Sequence, residues 1–186
     1  MNVDDTRVRA LLRPAPDRWV DTTERRAAVL GSWFARDGED WLLLMMRRHD
    51  LREHAGQIAF PGGRDSGDAD PVACALREAQ EEVGIHPDSV EVLGEVPPRI
   101  SSSRYHVRCI IGRIEDPEPV RIDPREVERV LYVPLAQLCQ VERWYDHVPP
   151  EYPGLTPSPH FEFGDDVVWG LTGRFTRDLV DLLVKA

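Results

Sequence analysis

The segment that most restricts how this chain can fold is a helical pattern that begins shortly after the pair Gly62–Gly63. Apolar residues recur there at three- and four-residue intervals, which places them on one face of an α-helix; they are Val72, Leu76, Ala79 and Val83. Asp68 is predicted to cap the N-terminus, Pro71 falls in the first turn, and Gly84 follows as a C-terminal stop signal. The sequence therefore predicts one helix between Asp68 and Val83.

Three glutamates on this helix, Glu78, Glu81 and Glu82, stand at positions i, i+3 and i+4 and are expected to project from one side. Like charges so close repel one another unless a positive group lies among them. Mg²⁺ or Mn²⁺ fits, because hard cations prefer oxygen ligands. Arg77 precedes the glutamates and is at an i, i+4 distance from Glu81. For the glutamates alone, a solvated acidic face is the favoured alternative.

The residues before the helix change that balance. Gly62 and Gly63 can adopt backbone conformations that other residues avoid, and they let a phosphate-bearing ligand approach the backbone. The stretch GRDSGDADPVACALREAQEEVGI, residues 63–85, resembles the signature sequence of the Nudix hydrolases, which ends in Arg-Glu-apolar-x-Glu-Glu-x-Gly-apolar. Ala69 stands where that signature has a glutamate, and Asp68 is predicted to substitute for it.

The resemblance implies an α/β/α sandwich with a mixed β-sheet and a catalytic loop-helix. It also implies hydrolysis of a nucleoside diphosphate linked to another group. In such enzymes the residues matching Glu78, Glu81 and Glu82 bind a divalent metal ion, Mg²⁺ or Mn²⁺. One of them, or an acidic residue on a later loop, activates water, and the residue matching Arg77 orients a glutamate through a salt bridge. The choice of base and the number of metal ions stay open.

A second resemblance lies upstream, in LLMMRRHDLREHAGQIAFPGG, residues 43–63. It is similar to the extra motif of the coenzyme A pyrophosphatase branch of Nudix enzymes, and VVWGLTGRF near the C-terminus resembles that branch as well. The positions that match the upstream motif are Leu43, Leu44, Arg47, Arg52, Gly56, Phe60, Pro61, Gly62 and Gly63, whereas Met45 and Arg48 depart from it.

This second resemblance implies that the substrate is coenzyme A or a thioester, cleaved to 3′,5′-ADP and (acyl-)4′-phosphopantetheine. Arg47, Arg52, Gly62 and Gly63 are then expected at the substrate. Arg47, Arg48 or Arg52 could bind the 3′-phosphate through charge-assisted hydrogen bonds, although pairing with surface carboxylates is equally favoured.

Two alternatives to that function remain. The first is a Nudix hydrolase for ADP-ribose or a dinucleoside polyphosphate, for which the departures at Met45 and Arg48 leave room. The second is a non-catalytic nucleotide-binding Nudix module, which is disfavoured because all three glutamates are retained.

Several other residues could contribute but have simpler interpretations. A loop base could come from Glu126 or Glu128, yet an exposed charged loop is favoured for both. Arg104 and His106 are interpreted as a strand-end cluster. Three aromatic residues could stack on an adenine or merely pack a loop; they are Trp144, Tyr145 and Tyr152.

Composition narrows the classes of partner. The formal net charge is −10 and no long Lys/Arg run offsets it, which argues against a general nucleic-acid partner. No run approaches the roughly 18 apolar residues of a membrane span. Cys74, Cys109 and Cys139 lack metal-ligand spacing and predict reduced thiols in the cytoplasm. The oligomeric state stays open.

The remaining pattern predicts one α/β domain over residues 1–186, with an arm at 1–25, the Nudix signature at 63–85 and a C-terminal helix at 172–186. The other predicted elements are a hairpin from 27–34 and 41–46, a short strand at 58–61, strands near 90–97, 105–114 and 129–133, a short helix near 135–139, a loop over 148–159 and a final hairpin in FEFGDDVVW.

Overall fold

A mixed β-sheet, a smaller antiparallel sheet and four α-helices make up the part of the chain that this computed structural model describes, residues 1–185. In chain order the elements are α1 (Asp5–Leu11), β1 (Arg25–Arg36), β2 (Glu39–Arg47), β3 (Ile58–Ala59), β4 (Gly62–Arg64), α2 (Pro71–Val83), β5 (Val90–Ile100), β6 (Tyr105–Ile114), β7 (Val127–Pro134), α3 (Leu135–Leu138), β8 (Tyr145–His147), β9 (Ser158–Phe163), β10 (Asp166–Val168) and α4 (Gly170–Leu183).

Strand β1 organises the seven-stranded sheet. It runs parallel to β6 and antiparallel to β2 and β4, and β6 in turn pairs antiparallel with β5. Strands β3 and β7 both pair antiparallel with β2. The predicted hairpin is confirmed: Asp37 and Gly38 connect β1 to β2 with positive φ angles of 53° and 78°. Two such residues in sequence give the tight turn that an Asp-Gly pair favours.

The two faces of this sheet bury different helices. Because successive strand residues point to opposite faces, neighbours such as Leu43 and Leu44 enter separate cores. One core contains α2 and includes Ala28, Leu30, Leu43, Cys74, Ala79, Val83 and Ile110. The other contains α4 and the sheet β8–β9–β10 and includes Trp33, Leu44, Ile111, Phe161, Phe175 and Leu179. The fold is the expected α/β sandwich with a mixed sheet.

Several predicted boundaries need correction. Helix α2 begins at Pro71, three residues later than predicted, and Asp70 rather than Asp68 caps it. The C-terminal helix covers Gly170–Leu183 instead of 172–186, and Ala186 lies outside the described residues. Strands β4 and β8 were not predicted, because each has only three residues and too few for a visible alternation.

The N-terminal arm packs on the sheet. Val8 of α1 is completely buried among core residues, and Arg13 exchanges backbone hydrogen bonds of 3.1 and 3.0 Å with Glu95 of β5. The Val3 amide also donates to the Asp40 carboxylate at 2.6 Å. Further along the arm, Trp19 Nε1 donates to the Asp68 carbonyl at 3.1 Å, so the arm also contacts the loop between β4 and α2. Within residues 1–185, no helix combines the length and the apolar character that a membrane crossing requires.

Candidate active site

The ends of α2 fix the helix that carries the glutamates. The Asp70 carboxylate accepts a hydrogen bond of 2.8 Å from the Ala73 amide, and Pro71 occupies the first helical position without losing a helical hydrogen bond. At the other end Gly84 has a φ of 73°, a left-handed conformation that glycine adopts without strain. Its amide donates to the Gln80 carbonyl at 3.1 Å. Local sequence therefore sets where the helix that carries the glutamates begins and ends.

Glu82 is the buried member of the predicted glutamate set. Only 3% of the residue is exposed, and its Oε2 atom accepts a hydrogen bond of 2.8 Å from the Gly62 amide. Arg47 Nη1 lies 3.4 Å from Oε1. The pKa of Glu82 is raised to about 8, mainly by burial and also by the charges of Glu78 and Glu126, while the Gly62 amide and Arg47 oppose the shift. Too little positive charge lies near this carboxyl group for it to ionise easily.

Glu78 lies beside it, against the second glycine of the pair. A Cβ atom on Gly63 would overlap the Glu78 carboxylate, so no other residue fits at that position without displacing it. Arg77 Nη1 contacts Glu78 Oε1 at 2.9 Å. Burial raises the pKa of Glu78, Arg77 opposes that shift, and the charges of Glu81 and Glu126 add to it.

Glu81 differs from the other two glutamates. Its side chain is 60% exposed, and it contacts Arg77 Nη1 at 3.1 Å. The expectation that all three project from one side therefore becomes more specific: Glu82 points into the protein, Glu78 lies at the glycine pair, and Glu81 points towards solvent.

Arg77 connects the helix to the preceding loop. Its Nε and Nη2 atoms donate to the two carboxylate oxygens of Asp68 at 2.9 and 3.0 Å, and Nη2 also lies 3.2 Å from the Arg64 carbonyl. Hydrogen bonding to Arg77 lowers the pKa of Asp68 to about 2. Asp68 was predicted as the helix cap and as the substitute for the glutamate missing at Ala69. It is not the cap; it binds the arginine that in turn contacts Glu78 and Glu81.

A fourth carboxylate, Glu126, comes to this site from the loop before β7. The Asp123 amide of that loop donates to the Glu82 carbonyl at 2.9 Å, and Arg47 Nη2 lies 3.9 Å from Glu126 Oε2. Glu126 raises the pKa of both Glu78 and Glu82, whereas the charge of Glu128 acts on Arg48. The sequence offered both residues equally; only the pairing of β2 with β7 distinguishes them.

The predicted substrate-binding residues fall into two groups. Gly62 and Gly63 contact Glu82 and Glu78, and Arg47 lies between Glu82 and Glu126, so these three residues organise the carboxylates. Arg52 is different: it is exposed, and no hydrogen bond or ion pair within residues 1–185 engages its side chain.

Arg48 was also a candidate for the 3′-phosphate, but its guanidinium is already engaged. It donates to both Asp50 oxygens at 2.8 Å and to the Pro124 carbonyl at 2.9 Å. Arg48, which differs from the residue usual in the upstream motif, therefore connects its own loop to the loop that contains Pro124.

The fit of a divalent cation to these residues follows from donor chemistry and charge. Within residues 1–185, no group of three or more His, Cys, Asp or Glu side chains stands ready-made as a metal cluster, and Arg47 and Arg77 contact the carboxylates of Glu82 and Glu78. Oxygen donors are nevertheless what a hard cation requires. The charge of Glu126 raises the pKa of both Glu78 and Glu82, and the charge of Glu78 adds to the shift of Glu82. A cation at this point would relieve that repulsion, so the residue set fits one.

The other residues singled out from sequence lie elsewhere. Arg104 contacts Glu24 at 3.0 Å, and burial lowers the pKa of His106. Trp144 donates to the Leu138 carbonyl at 2.8 Å and packs on Phe161, which fits the simpler interpretation of loop packing. Tyr145 and Tyr152 are both in the layer of the smaller sheet. All three cysteines are free.

Comparison with known proteins gives the family. A family model described as the NUDIX domain matches residues 24–153. The protein named "Uncharacterized Nudix hydrolase NudL" from Escherichia coli K12 is 38% identical over 181 residues, covering 91% of this chain and 88% of the relative. Among solved structures, a Nudix hydrolase from M. smegmatis, RenU, has a TM-score of 0.52 at 24% identity, over 61% of this chain and 73% of that one.

A binary complex of C. elegans Ap4A hydrolase gives a TM-score of 0.51 at 19% identity, over 59% of this chain and 80% of that one. These two structures show the common fold. The family match and the NudL similarity show more: the chain belongs to the Nudix family, whose enzymes hydrolyse nucleoside diphosphate derivatives and generally use divalent metal ions.

Proposed function

We propose that this protein is a Mg²⁺- or Mn²⁺-dependent coenzyme A diphosphatase. The observation that carries the proposal is the buried Glu82, bound by the Gly62 amide beside Glu78, with the pKa of both carboxyl groups raised by burial and by the charge of Glu126. The specific substrate is supported by the motif over residues 43–63, in which Arg47 contacts this carboxylate group and Arg52 has no partner among the described residues.

The roles follow from the contacts. Glu78, Glu81 and Glu82 are the metal ligands, and Arg77 orients Glu78 and Glu81 through contacts of 2.9 and 3.1 Å. When bound, a divalent cation neutralises the diphosphate and lowers the pKa of coordinated water. Gly62 and Gly63 let the Glu82 and Glu78 side chains approach the end of the sheet, which no larger residue at position 63 would allow.

Glu126 is the proposed general base. It lies on the loop beside Glu82, and its side chain is half exposed. A carboxylate in that position can accept the proton of an attacking water molecule at its Oε atoms and release it to solvent. Arg47, 3.9 Å from Glu126, keeps that carboxylate near the site.

The reaction adds water across the diphosphate of coenzyme A and gives 3′,5′-ADP and 4′-phosphopantetheine, or its acyl form from a thioester. Arg52 is available for the 3′-phosphate because no carboxylate among the described residues neutralises it. We also assign the enzyme to the cytoplasm, where the free thiols of Cys74, Cys109 and Cys139 stay reduced.

A substrate panel tests the proposal. The protein is incubated with Mg²⁺ or Mn²⁺ and coenzyme A, acetyl-coenzyme A, ADP-ribose or diadenosine polyphosphates, and products are identified by mass. Formation of 3′,5′-ADP from coenzyme A at the highest kcat/KM is the expected result. Preference for ADP-ribose or a dinucleoside polyphosphate would replace the coenzyme assignment. Binding of these compounds without turnover of any would identify a non-catalytic module.

A further inference from the structure

Two arginines from different strands lie over the same tyrosine ring. The guanidinium carbons of Arg25 and Arg64 are 4.1 and 5.3 Å from the centroid of the Tyr105 ring. The strand register explains this: Arg25 pairs with Tyr105, and Ala27, two residues along β1, pairs with Arg64. All of these side chains therefore share one face of the sheet. Tyr105 is 8% exposed and provides a fixed platform, whereas both arginines are exposed.

Both guanidinium groups keep unused donors. Arg25 Nη2 donates to the Ser103 carbonyl at 2.8 Å, and Arg64 Nη2 donates to Glu53 Oε2 at 2.9 Å. A guanidinium has five N–H donors, so each group can bind another acceptor. The Arg64–Glu53 pair is 62% and 65% exposed, and pairs of this kind contribute little to stability. An incoming anion can therefore displace Glu53 from Arg64.

The local charge is opposite to that of the whole protein. The chain has a formal net charge of −10. Within residues 1–185, however, the arginines around Tyr105 (Arg25, Arg64 and Arg104) form ion pairs only with Glu24 and Glu53. Arg52, adjacent to Glu53 in the chain, has no partner among residues 1–185. Arginines gathered in this way attract a phosphate, which two planar guanidinium groups can bind bidentately.

This basic group lies one residue away from the carboxylate site. Gly63 contacts Glu78, and the next residue, Arg64, extends its side chain over Tyr105, as strand alternation requires. The carbonyl of Arg64 accepts a hydrogen bond of 3.2 Å from Arg77. Gly63 and Arg64 face opposite sides of β4, so a substrate whose diphosphate is at the glutamates reaches the arginines by extending a second group past this strand.

We propose that Arg25, Arg64 and Tyr105 form a second phosphate subsite, which binds a phosphomonoester of the substrate outside the diphosphate that is cleaved. The inference rests on the proposed function, in which that group is the 3′-phosphate of coenzyme A. Arg25 and Arg64 bind the phosphate oxygens, and Tyr105 orients the two guanidinium groups. Arg52 approaches the same phosphate from the loop that carries Glu53.

The kinetic test compares coenzyme A with 3′-dephospho-coenzyme A. Arg64→Gln is expected to raise KM for coenzyme A about tenfold, with kcat nearly unchanged and KM for the dephospho compound unaffected. Arg25→Gln should act in the same direction. A purely structural role would change both substrates equally, and that result would overturn the subsite. Thermal midpoints of both variants show whether the fold is intact.

A variant of the competing carboxylate should act in the opposite direction. Glu53→Gln removes the anion that occupies Arg64, and it is expected to lower KM for coenzyme A about two- to threefold. Arg143→Gln is the matched control, because Arg143 also lies over an aromatic ring, 4.5 Å from the centroid of Phe161, and donates to the Glu162 carbonyl at 2.9 Å. It should leave the KM ratio of the two substrates unchanged. An unchanged KM in Glu53→Gln would contradict displacement of Glu53.

Calorimetric binding separates this inference from the proposed function. With Mg²⁺ present, 3′,5′-ADP should bind the wild-type protein about tenfold more tightly than 5′-AMP, and Arg64→Gln should abolish the difference. Turnover of coenzyme A together with equal affinities for the two nucleotides would overturn the subsite and leave the function standing. Absence of turnover together with the expected difference in affinity would support the subsite and contradict the proposed function.

Discussion

Arg77 binds both carboxylate oxygens of Asp68, at 2.9 and 3.0 Å, and so connects the loop before α2 to the helix that carries the glutamates. The same guanidinium contacts Glu78 and Glu81 at 2.9 and 3.1 Å. A bidentate pair fixes the plane of a guanidinium as well as its position. Asp68 therefore determines the direction in which Arg77 presents its remaining nitrogen to the glutamates.

Asp68→Asn tests this connection. The amide keeps the shape of the side chain but removes the charge and one acceptor, so Arg77 loses its fixed orientation. We expect kcat/KM to fall about 10- to 100-fold, the range typical of residues that orient metal ligands. Asp165→Asn, in the exposed turn between β9 and β10, is the control and should have wild-type kinetics. Equal activity of both variants would show that Arg77 needs no support from the loop.

Glu82 should make the metal-free protein less stable as pH rises. Its pKa is about 8 in the folded protein and near the ordinary value of 4.5 when unfolded. Between these two pKa values Glu82 is protonated in the folded protein and ionised in the unfolded one. The stability that this difference contributes is fully present below pH 4.5 and is lost as the pH rises through about 8. In the presence of EDTA, the midpoint temperature of thermal unfolding should decrease as the pH is raised from 5 to 8.5. The midpoint temperature of the Glu82→Gln variant should decrease less steeply with pH, because glutamine does not titrate.

Metal ion should reverse that trend. Mn²⁺ added at pH 8 is expected to raise the thermal midpoint of the wild-type protein, since a ligand that binds the folded state stabilises it. It should raise the midpoint of Glu82→Gln much less. Parallel pH profiles for the wild type and the variant in EDTA would show that burial of Glu82 has no such consequence.

Glu126→Gln tests the proposed base. Loss of general base catalysis typically costs about 100- to 10,000-fold in rate, and we expect kcat to fall within this range while Mn²⁺ affinity changes little. Glu128→Gln is a matched control two residues along the chain, because Glu128 is exposed and its charge acts on Arg48. Rates are measured by product formation from coenzyme A. Similar losses in both variants, or none in Glu126→Gln, would exclude Glu126 as the base.

Local sequence was sufficient to predict helix α2 but not to identify the residue that caps its N-terminus. The apolar spacing and Gly84 predicted α2 to its last residue, since both signals depend on neighbours along the chain. Asp68 was predicted as the cap, and Asp70 takes that place. Gly67, with a φ of 103°, turns the loop so that Asp70 meets the Ala73 amide and Asp68 meets Arg77.

The carboxylate site could be predicted in its composition but not in its arrangement. The three glutamates of the helix were identified from spacing, yet their unequal burial depends on contacts with β4. Gly62 and Gly63 were expected to let a phosphate approach the backbone, and the sequence did not show that they also contact Glu82 and Glu78. Glu126 lies 44 residues beyond Glu82 in the chain, and the pairing of β2 with β7 brings it close. No local pattern contains that information.

The central claim is that these carboxylates bind a divalent cation, and a Mn²⁺ titration followed by the electron paramagnetic resonance of free Mn²⁺ tests it most directly. The wild-type protein should remove Mn²⁺ from solution stoichiometrically, and Glu82→Gln should bind it at least about tenfold more weakly. Equal Mn²⁺ binding by the two proteins, or none by the wild type, would contradict the claim.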